Sequence, residues 1–369
     1  MGEPARLHRA DVLAHTDAAR DTLLHPHDPG LLDRRLRTEA AAHAAELAGR
    51  PELAAHYRSL TARTEAGAAA GPASGSGRPA AHEAVRDWTA AATLAPAAAG
   101  RERLDALSAA GLDTAAVVSL AQLVAFVAYE VRVAVGRDLL LGASTRPTVP
   151  APAPAPALFG GLGAAPLVWH PWVPAVDPAA LTTAQRDVLD RHATLSVDSP
   201  YYRTLLHDPA ALDHRTHVYN GVMYGRGGLA RADRELVTLV ASRVNGCVYC
   251  AGVHARKFAR MARDEPLTER ILAQGSAALA DDPRRAALAR FAERLAGPAP
   301  AADDADATAV REAGLTDEEL LDLVHCTALF GWANRLMLTL GAPAPPGAPC
   351  PGVCCTGTAG PAAPGGDAL

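Results

Sequence analysis

The sequence predicts an all-α protein, and three features of it favour this class. Alanine is the commonest of its 369 residues, whereas Phe, Trp and Tyr together make up only 4%. Alanine is the strongest helix former, while strands are enriched in aromatic and β-branched residues. Apolar residues recur at helical intervals, and no segment alternates strictly as a half-buried strand does. The length predicts two domains, each able to bury a core of its own.

The composition also excludes several classes of protein. A net charge of −5 provides no basic field, so we expect no nucleic-acid partner. Six cysteines are too few, in a chain this long, for a disulfide-stapled secreted fold. No uninterrupted apolar run approaches 18 residues, and the N-terminus lacks the apolar stretch of a secretory signal. We therefore expect no membrane partner and a location in the reducing cytoplasm.

Two segments of biased composition divide the chain. Residues 144–165 begin with alternating Ala and Pro, which is typical of a stiff, extended spacer. Residues 343–369 are rich in Pro and Gly and predict a disordered tail. Two folded units remain, at residues 1–143 and 166–342. The tail holds three of the six cysteines, whose role the sequence leaves open: Cys350, Cys354 and Cys355.

The last predicted helix of each unit has a similar sequence. Residues 112–136 align with residues 315–339 at an offset of 203, which places Arg132 opposite Arg335. The second of these helices begins at a capping box, since Thr316 is followed three residues later by a glutamate. Because charged and glycine positions coincide along with the apolar ones, we predict a tandem pseudo-repeat of one helical unit.

Two further helices are predicted within residues 233–262, and a turn separates them. Asn245 and the glycine after it form a dipeptide that is typical of turns. Cys247 and Cys250 follow, in the first turn of the second helix. Because residues three apart share a helix face, the two sulfur atoms can pair with little backbone movement. The free N–H groups at a helix N-terminus also favour a thiolate at Cys247.

A histidine and a glutamate complete this constellation. His254 lies one helical turn after Cys250 and can take a proton from a thiol, directly or through a water molecule. Glu235, on the preceding helix, can hold the imidazole in one tautomer and keep it basic. A carboxylate, an imidazole and two thiols form a relay that makes a thiolate and traps the resulting sulfenic acid as a disulfide.

Other interpretations of these residues remain open at this point. A C-x-x-C pair is often half of a zinc site, and Glu235 would then be the obvious fourth ligand beside His254. Such a module would bind metal or sense redox state without turnover. A third hypothesis is acid–base chemistry on a small carbon acid by His254 and Glu235, and a fourth is a purely structural set of buried side chains.

The spacing E-x11-C-x-Y-C-x3-H, preceded by S-R-V-N-G, resembles the alkylhydroperoxidase D-like, peroxidase-related branch of the carboxymuconolactone decarboxylase family. The five motif positions begin at Glu235 and end at His254, and the resemblance covers residues 166–341. It implies an all-α unit of about six helices that forms homo-oligomers. It also implies a peroxidase or disulfide reductase that uses a hydroperoxide, an external dithiol or disulfide-reductase system, and no cofactor or metal.

The resemblance assigns roles to individual residues. It makes Cys247 and Cys250 the redox pair, His254 the base and Glu235 its partner, with Asn245 and Tyr249 as auxiliary residues. Tyr249 stands where better-studied peroxidase members have a second histidine, so one proton carrier is replaced by a hydroxyl group. Which sulfur attacks the peroxide is open. We favour Cys250 for its proximity to His254, with Cys247 as the more exposed thiol that exchanges with the reductant.

The first unit resembles the same unit without its chemistry. Residues 30–58 align with residues 228–256 at an offset of 198, which places His56 opposite His254. At this offset no cysteine of the first unit faces either cysteine of the second. We therefore expect residues 1–143 to be a degenerate copy that packs against its active partner.

Overall fold

A computed structural model describes residues 9–67, 79–142 and 165–347 of the protein. The tail cysteines and all but the last residue of the predicted spacer lie outside these ranges. The described residues are all-α, as predicted, apart from one pair of short strands. The helices of the first half are α1 (Ala10–Leu24), α2 (Arg34–Leu47), α3 (Pro51–Gly67), α4 (Pro79–Leu94), α5 (Arg101–Ala109) and α6 (Thr114–Leu140).

The second half contains nine of the described α-helices. The longest, at its C-terminal end, begins at the predicted capping box of Thr316 and Glu319. The helices are α7 (Thr183–Arg191), α8 (Pro200–Leu205), α9 (Pro209–Tyr224), α10 (Arg231–Val244), α11 (Val248–Ala262), α12 (Glu265–Gln274), α13 (Pro283–Ala296), α14 (Asp304–Glu312) and α15 (Asp317–Thr339).

Two strands that the sequence did not predict join the ends of the second half. Strand β1 (Val168–Pro171) pairs antiparallel with β2 (Gly341–Ala344). The Trp169 indole donates a hydrogen bond to the Met337 carbonyl oxygen at 2.9 Å, which fixes β1 against the end of α15. Strand β2 thus extends two residues into the segment that the sequence assigned to the tail.

Helices α6 and α15 pack against each other where the two halves meet. Among the described helices, α6 is the one long and apolar enough to cross a membrane, but 89% of its most apolar window is buried inside the protein. A core helix has this burial. The apolar face of α6 is therefore covered by the chain itself, chiefly by α15.

Buried arginines make reciprocal contacts across this junction. Arg132 of α6 donates hydrogen bonds to the carbonyl oxygens of Ala296 (2.8 Å) and Gly297 (2.6 Å) in the second half. Arg335 of α15 donates one to the Thr93 carbonyl oxygen in the first half at 2.8 Å. Each arginine also binds the carbonyl oxygen four residues earlier on its own helix. Each half therefore provides an arginine donor for backbone carbonyl oxygens at a helix end of the other half.

Aromatic side chains show the same reciprocity. The Trp332 indole donates to Gln122 Oε1 at 3.0 Å. Tyr129, opposite Trp332 in the sequence alignment, bonds through its hydroxyl to Nδ1 of His325 at 2.9 Å. His325 is likewise opposite Gln122 at the offset of 203. These exchanged pairs are the pattern that two related units give when they pack about a pseudo-twofold axis. They support the tandem repeat, which stays a prediction.

The geometry corrects the earlier alignment by one residue. Helices α2 and α10 begin 197 residues apart and end 197 residues apart, rather than 198. In both, an arginine Nε donates at 2.8 Å to the carbonyl oxygen five residues before it: Arg37 to Leu32 and Arg234 to Leu229. Helices rich in Ala and Leu keep a similar apolar match after a one-residue shift, so sequence alone did not fix the register.

The turns after these two helices agree with an offset of 197. Gly49 has a φ of 78° and Gly246 a φ of 74°, a left-handed conformation that glycine adopts without steric cost. With these glycines equivalent, Tyr57 occupies the position of His254, and His56 does not. The second half thus keeps an imidazole at a position where the first half has a phenol.

Candidate active site

The turn between α10 and α11 places the two cysteines at the start of α11, with Cys247 just before the first turn in which it was predicted. Asn245 ends α10, and Cys247 is the N-cap residue of α11, one residue before its first turn. The Cys247 thiol donates to Cys250 Sγ, and the two sulfur atoms are 3.0 Å apart. A disulfide bond is about 2.0 Å long, so a shift of about 1 Å would join them.

The structure brings Glu235 and His254 together on facing helices. Glu235 Oε2 lies 2.5 Å from His254 Nδ1, and both side chains are fully buried. The other carboxylate oxygen, Oε1, accepts a 2.9 Å hydrogen bond from Arg231 Nε. Arg231 is in turn held by the Met223 carbonyl oxygen at 2.7 Å. Glu235 therefore has a fixed orientation before it meets the imidazole.

Charge and burial set the protonation of this pair. Burial alone would raise the pKa of Glu235, but the charge and hydrogen bond of His254, followed by Arg231, lower it to about 2. Burial lowers the pKa of His254, and Glu235 only partly offsets it. At neutral pH the carboxylate is thus ionised and the imidazole neutral. Nδ1–H then donates to Glu235, which leaves Nε2 as the proton acceptor.

His254 Nε2 is buried and has no hydrogen-bond partner. The ring meets Phe330 edge-on, with centroids 4.6 Å apart. His254 and Cys250 lie on the same face of α11, one turn apart, so this acceptor is on the cysteine side of the helix. An unpaired acceptor in a buried site is costly, and it is the atom that a general base requires.

The Cys250 thiol has a raised pKa. Burial, followed by the hydrogen bond and charge of Cys247, raises the pKa of Cys250 well above its usual value. A hydrogen bond from Asn334 and the charge of Arg215 act in the opposite direction. A thiol in such surroundings needs a base to lose its proton.

A buried polar network surrounds the sulfur atoms. Asn245 donates to Asn334 Oδ1 at 3.0 Å, and Asn334 Nδ2 donates to Ser242 Oγ at 3.1 Å. This network ties the turn before Cys247 to α15. Asn245, predicted as an auxiliary site residue, thus contacts Asn334, and no contact between Asn245 and the sulfur atoms is described.

Tyr249 lies between the two cysteines in sequence and is partly buried. Burial, followed by the charge of Cys250, raises its pKa to about 12. A phenol with this pKa remains protonated at neutral pH, so Tyr249 can donate a hydrogen bond but cannot act as a base. This differs from a histidine at the same position.

Both cysteines are buried, which corrects one expectation. Cys247 is 1% exposed and Cys250 is 0% exposed, so Cys247 is not a surface thiol. Tyr201, from α8, is buried near the two sulfur atoms. Burial raises the pKa of Tyr201, and the charges of Cys250 and Cys247 raise it further. A peroxide or a dithiol can therefore reach either sulfur only when covering side chains move.

Sequence reasoning missed Arg215, on α9. It is 2% exposed, and its Nε and Nη2 atoms have no hydrogen-bond partner. Its guanidinium lies 5.8 Å from the ring centroid of Tyr201. Since Arg215 also lowers the pKa of Cys250, it is a fixed positive charge that favours an anion in the site. An arginine on the buried face of an amphipathic helix was the available signal.

Asn334 and Arg231 were missed for different reasons. Asn334 is an amide inside the apolar helix α15, almost 90 residues from the cysteines, and no short spacing links it to them. Arg231 precedes Glu235 by four residues on α10. That spacing is the one at which a helix forms ion pairs, so the sequence did contain this signal.

Comparison with known proteins relates the part of the chain that contains the candidate site to a protein family. Residues 209–294 match the model of the carboxymuconolactone decarboxylase family. This segment contains Glu235, Cys247, Cys250 and His254. The resemblance predicted from the sequence motif is thereby confirmed for the segment. No curated protein matches the chain.

Two solved structures are similar to part of the chain. The alkylhydroperoxidase AhpD core of an uncharacterized peroxidase-related protein from Ralstonia eutropha JMP134 is 28% identical, with a TM-score of 0.40, and the match covers 46% of this chain and 90% of that one. For an uncharacterized peroxidase-related protein from Silicibacter sp. TM1040, the identity is 22% and the TM-score 0.38, with 47% and 94% covered. Each match leaves more than half of this chain unmatched.

Proposed function

We propose that this chain, whose residues 209–294 belong to the carboxymuconolactone decarboxylase family, reduces hydroperoxides with electrons from a dithiol. The observation that carries the proposal is the unpaired Nε2 of His254, one helical turn from a cysteine pair whose sulfur atoms are 3.0 Å apart. The name peroxidase-related, borne by two structural neighbours, agrees with a peroxide-reducing role.

The first step is oxidation of a thiolate. His254 Nε2 takes the proton of Cys250, and Arg215 and Asn334 stabilise the negative sulfur that results. The thiolate attacks the terminal oxygen of ROOH, the O–O bond breaks, and the alkoxide takes a proton from the imidazolium. The products are ROH and Cys250 sulfenic acid, so the sulfur has lost the two electrons that the peroxide gained.

The second step forms a disulfide. The Cys247 thiol attacks the sulfenic sulfur, a Cys247–Cys250 bond forms, and the hydroxyl group leaves as water. The short distance between the sulfur atoms makes this step fast relative to further oxidation of the sulfenic acid. An external dithiol then reduces the disulfide in two exchanges and leaves as its own disulfide. This cycle requires a reducing compartment, which agrees with the predicted cytoplasmic location.

Turnover of tert-butyl hydroperoxide with dithiothreitol tests the proposal. We expect Cys250→Ser to abolish enzymatic turnover. The matched control is Cys326→Ala, since Cys326 is also a fully buried thiol but lies on α15 outside the proposed relay. Its rate should equal that of the unmodified protein. Unchanged turnover in Cys250→Ser would refute the mechanism.

Disulfide mapping gives an independent measurement. After one equivalent of peroxide, mass spectrometry should find a Cys247–Cys250 link. Because the tail also contains cysteines, the mapping is repeated on a variant in which Cys350, Cys354 and Cys355 are replaced by serine. A sulfenic acid at Cys326, or stoichiometric zinc with no loss of thiols, would favour a different chemistry.

A further inference from the structure

A second cluster of ligand-type side chains lies outside the proposed active site. Its centre is formed by His192, Asp213 and His217, each of which offers a ligand atom, and these atoms all lie within 4.8 Å of one another. His192 Nε2 is 2.6 Å from Asp213 Oδ1, and His217 Nε2 is 3.8 Å from the same oxygen. We propose that these three residues bind a divalent transition-metal ion.

The separations fit an ion of this class. Ligand atoms about 2.0–2.1 Å from a tetrahedral zinc ion lie about 3.3 Å apart, which falls between the two distances described. The Asp213 oxygen would have to lie about 0.7 Å farther from His192 and about 0.5 Å closer to His217 for both distances to take this value. The ligand atoms of the two histidines lie within 4.8 Å of each other. Imidazole nitrogens with a carboxylate oxygen form a donor set for Zn²⁺ and other borderline divalent ions, whereas Mg²⁺ and Ca²⁺ prefer oxygen ligands. A water molecule completes the set.

The backbone holds the three ligands on two helices. His192 ends α7, whereas Asp213 and His217 lie four residues apart on one face of α9. The His192 and His217 rings are nearly perpendicular, with centroids 4.6 Å apart. His192 is 4% exposed and His217 is 35% exposed, so the cluster is accessible to an ion from one side.

Two further histidines surround the cluster and connect it to the first half. His15, on α1, stacks on His217 with ring centroids 3.8 Å apart and planes inclined by 6°. His15 Nδ1 also faces His214 Nδ1 at 3.1 Å. Four imidazoles thus meet at the contact between α1 and α9. A bound ion would fix α7 to α9 at the surface where the first half rests.

One arginine and two further histidines lie beside the three ligands. Arg191 pairs with the second oxygen of Asp213, so it both orients the carboxylate and adds a positive charge beside the ion. His15 and His214 add two further imidazole rings beside the ligands. An imidazole binds a metal ion through an unprotonated nitrogen, so metal binding and proton binding compete at this cluster.

Zinc binding by the full chain tests the proposal. Protein stripped with a chelator is incubated with excess ZnCl₂, desalted and analysed for metal, in a background in which Cys247, Cys250 and the three tail cysteines are replaced by serine. We expect one zinc ion per chain. Asp213→Asn and His217→Gln should each lower the affinity at least tenfold. Zinc retained with unchanged affinity in both variants would overturn the site.

His207→Ala is the matched control for a histidine in this region. His207 is partly buried, contacts the Pro174 carbonyl oxygen at 2.8 Å and lies outside the cluster. Its zinc affinity should not change. Thermal unfolding keeps the test valid if a variant is poorly folded, because a ligand that binds only the native state raises Tm. Zinc should raise the Tm of the His207→Ala protein but not that of His217→Gln, and an equal rise in both would overturn the proposal.

Visible absorption of the Co²⁺-loaded protein identifies the donor atoms. Nitrogen and oxygen ligands give weak bands, while a cysteine ligand adds an intense charge-transfer band to the unmodified chain. We expect the weak bands to persist when the cysteines are replaced and to disappear in Asp213→Asn. Bands that require the cysteines would instead assign the metal to the C-x-x-C pair.

Discussion

The two halves carry different side chains at one position of the predicted repeat, His254 in α11 and Tyr57 in α3. Each meets a buried carboxylate: His254 meets Glu235, and the Tyr57 hydroxyl donates to Glu130. Glu130 is bonded by Arg20 Nε at 2.5 Å. Both halves thus contain a buried acid bonded by an arginine and by one further side chain. The nature of that further side chain decides what each half can do.

The difference lies in which group can accept a proton. Burial, followed by the charge of Glu130, raises the pKa of Tyr57 well above its usual value, so Tyr57 holds its proton at every physiological pH. His254 is neutral and has a free acceptor nitrogen. In the proposed mechanism, the buried acid and its partner therefore have a structural role in the first half and support proton transfer in the second. Among the residues that the structure describes, a cysteine pair lies only in the second half, near the imidazole.

The largest expected effect is that of removing the base. His254→Ala should lower the rate of hydroperoxide turnover about 10²–10⁴-fold, the usual contribution of a general base. Tyr57→Phe, the matched change in the first half, should leave the rate per folded molecule unchanged. Steady-state rates with tert-butyl hydroperoxide compare the two. A rate loss in Tyr57→Phe equal to that in His254→Ala would mean that the first half takes part in catalysis.

The next effect concerns the partner of the base. Activity requires neutral His254, whose pKa is lowered by burial, so the acid limb of the pH–rate profile should have its midpoint below 6.5. Glu235 raises the pKa of His254, and therefore Glu235→Gln should shift this limb to still lower pH. The weaker base should also reduce the plateau rate, by about tenfold for each unit of lost basicity.

The profile of Glu235→Gln must be measured with a folding control. Glu235 itself stays ionised across the assay range, since its pKa is about 2. Its folded pKa lies below the ordinary glutamate value of 4.5, so its contribution to stability is present above pH 4.5 and is lost as pH falls toward 2. Circular dichroism across the same pH range separates unfolding from titration. A shift of the acid limb to higher pH would contradict the assignment of the base.

Local spacing predicted the reactive part of this comparison well. The turn, the cysteine pair and His254 lie within ten residues, and helical geometry alone places them on one face. Arg215 and Asn334 come from α9 and α15, and only packing brings them to Cys250. The short strands were also missed, because each has only four residues, β2 consists of Gly, Ala and Pro, and both are defined by their mutual pairing.

In the first half, the residue equivalent to His254 was harder to predict. The alignment at an offset of 198 paired His56 with His254, and only the helix ends and the left-handed glycines reveal the correct partner, Tyr57. Its carboxylate comes from α6, whereas Glu235 comes from α10, so no alignment identifies it. A buried site that is reorganised around a different helix leaves no local pattern in the sequence.

A smaller effect is expected for stability in the first half. Arg20→Met removes the cation beside Glu130, which burial holds at a raised pKa. Because Arg20 is about a third exposed, we expect a loss of about 2 kcal/mol in the free energy of unfolding. Urea denaturation measures it. The pKa of Glu130 is higher in the folded than in the unfolded protein, so ionisation of Glu130 destabilises the fold as pH rises from the unfolded to the folded pKa. Arg20→Met removes the cation that offsets this cost. The loss in the free energy of unfolding should therefore be larger at pH 8 than at pH 5.

The matched change for Arg20→Met is Arg35→Met, which removes an exposed ion pair with Glu39 on α2. Exposed pairs of this kind contribute about 0–1 kcal/mol, with little dependence on pH in this range. Hydroperoxide turnover per folded molecule should be normal in both variants. Equal losses for Arg20→Met and Arg35→Met would show that Glu130 is not an acid held in place by its partners.

The smallest effects are expected at the junction of the halves. The two reciprocal contacts there differ because only Gln122 also has a buried polar atom without a hydrogen-bond partner. Tyr129→Phe loses hydrogen bonds to both His325 and Thr16, so it should lower the free energy of unfolding by about 1–2 kcal/mol. Gln122→Met leaves the Trp332 indole N–H without its acceptor, but it also removes a buried amide nitrogen that has no partner. These two changes oppose each other, so urea denaturation should find a loss below about 1 kcal/mol. A larger loss in Gln122→Met than in Tyr129→Phe would mean that the indole contact, rather than the phenol contact, holds the two halves together.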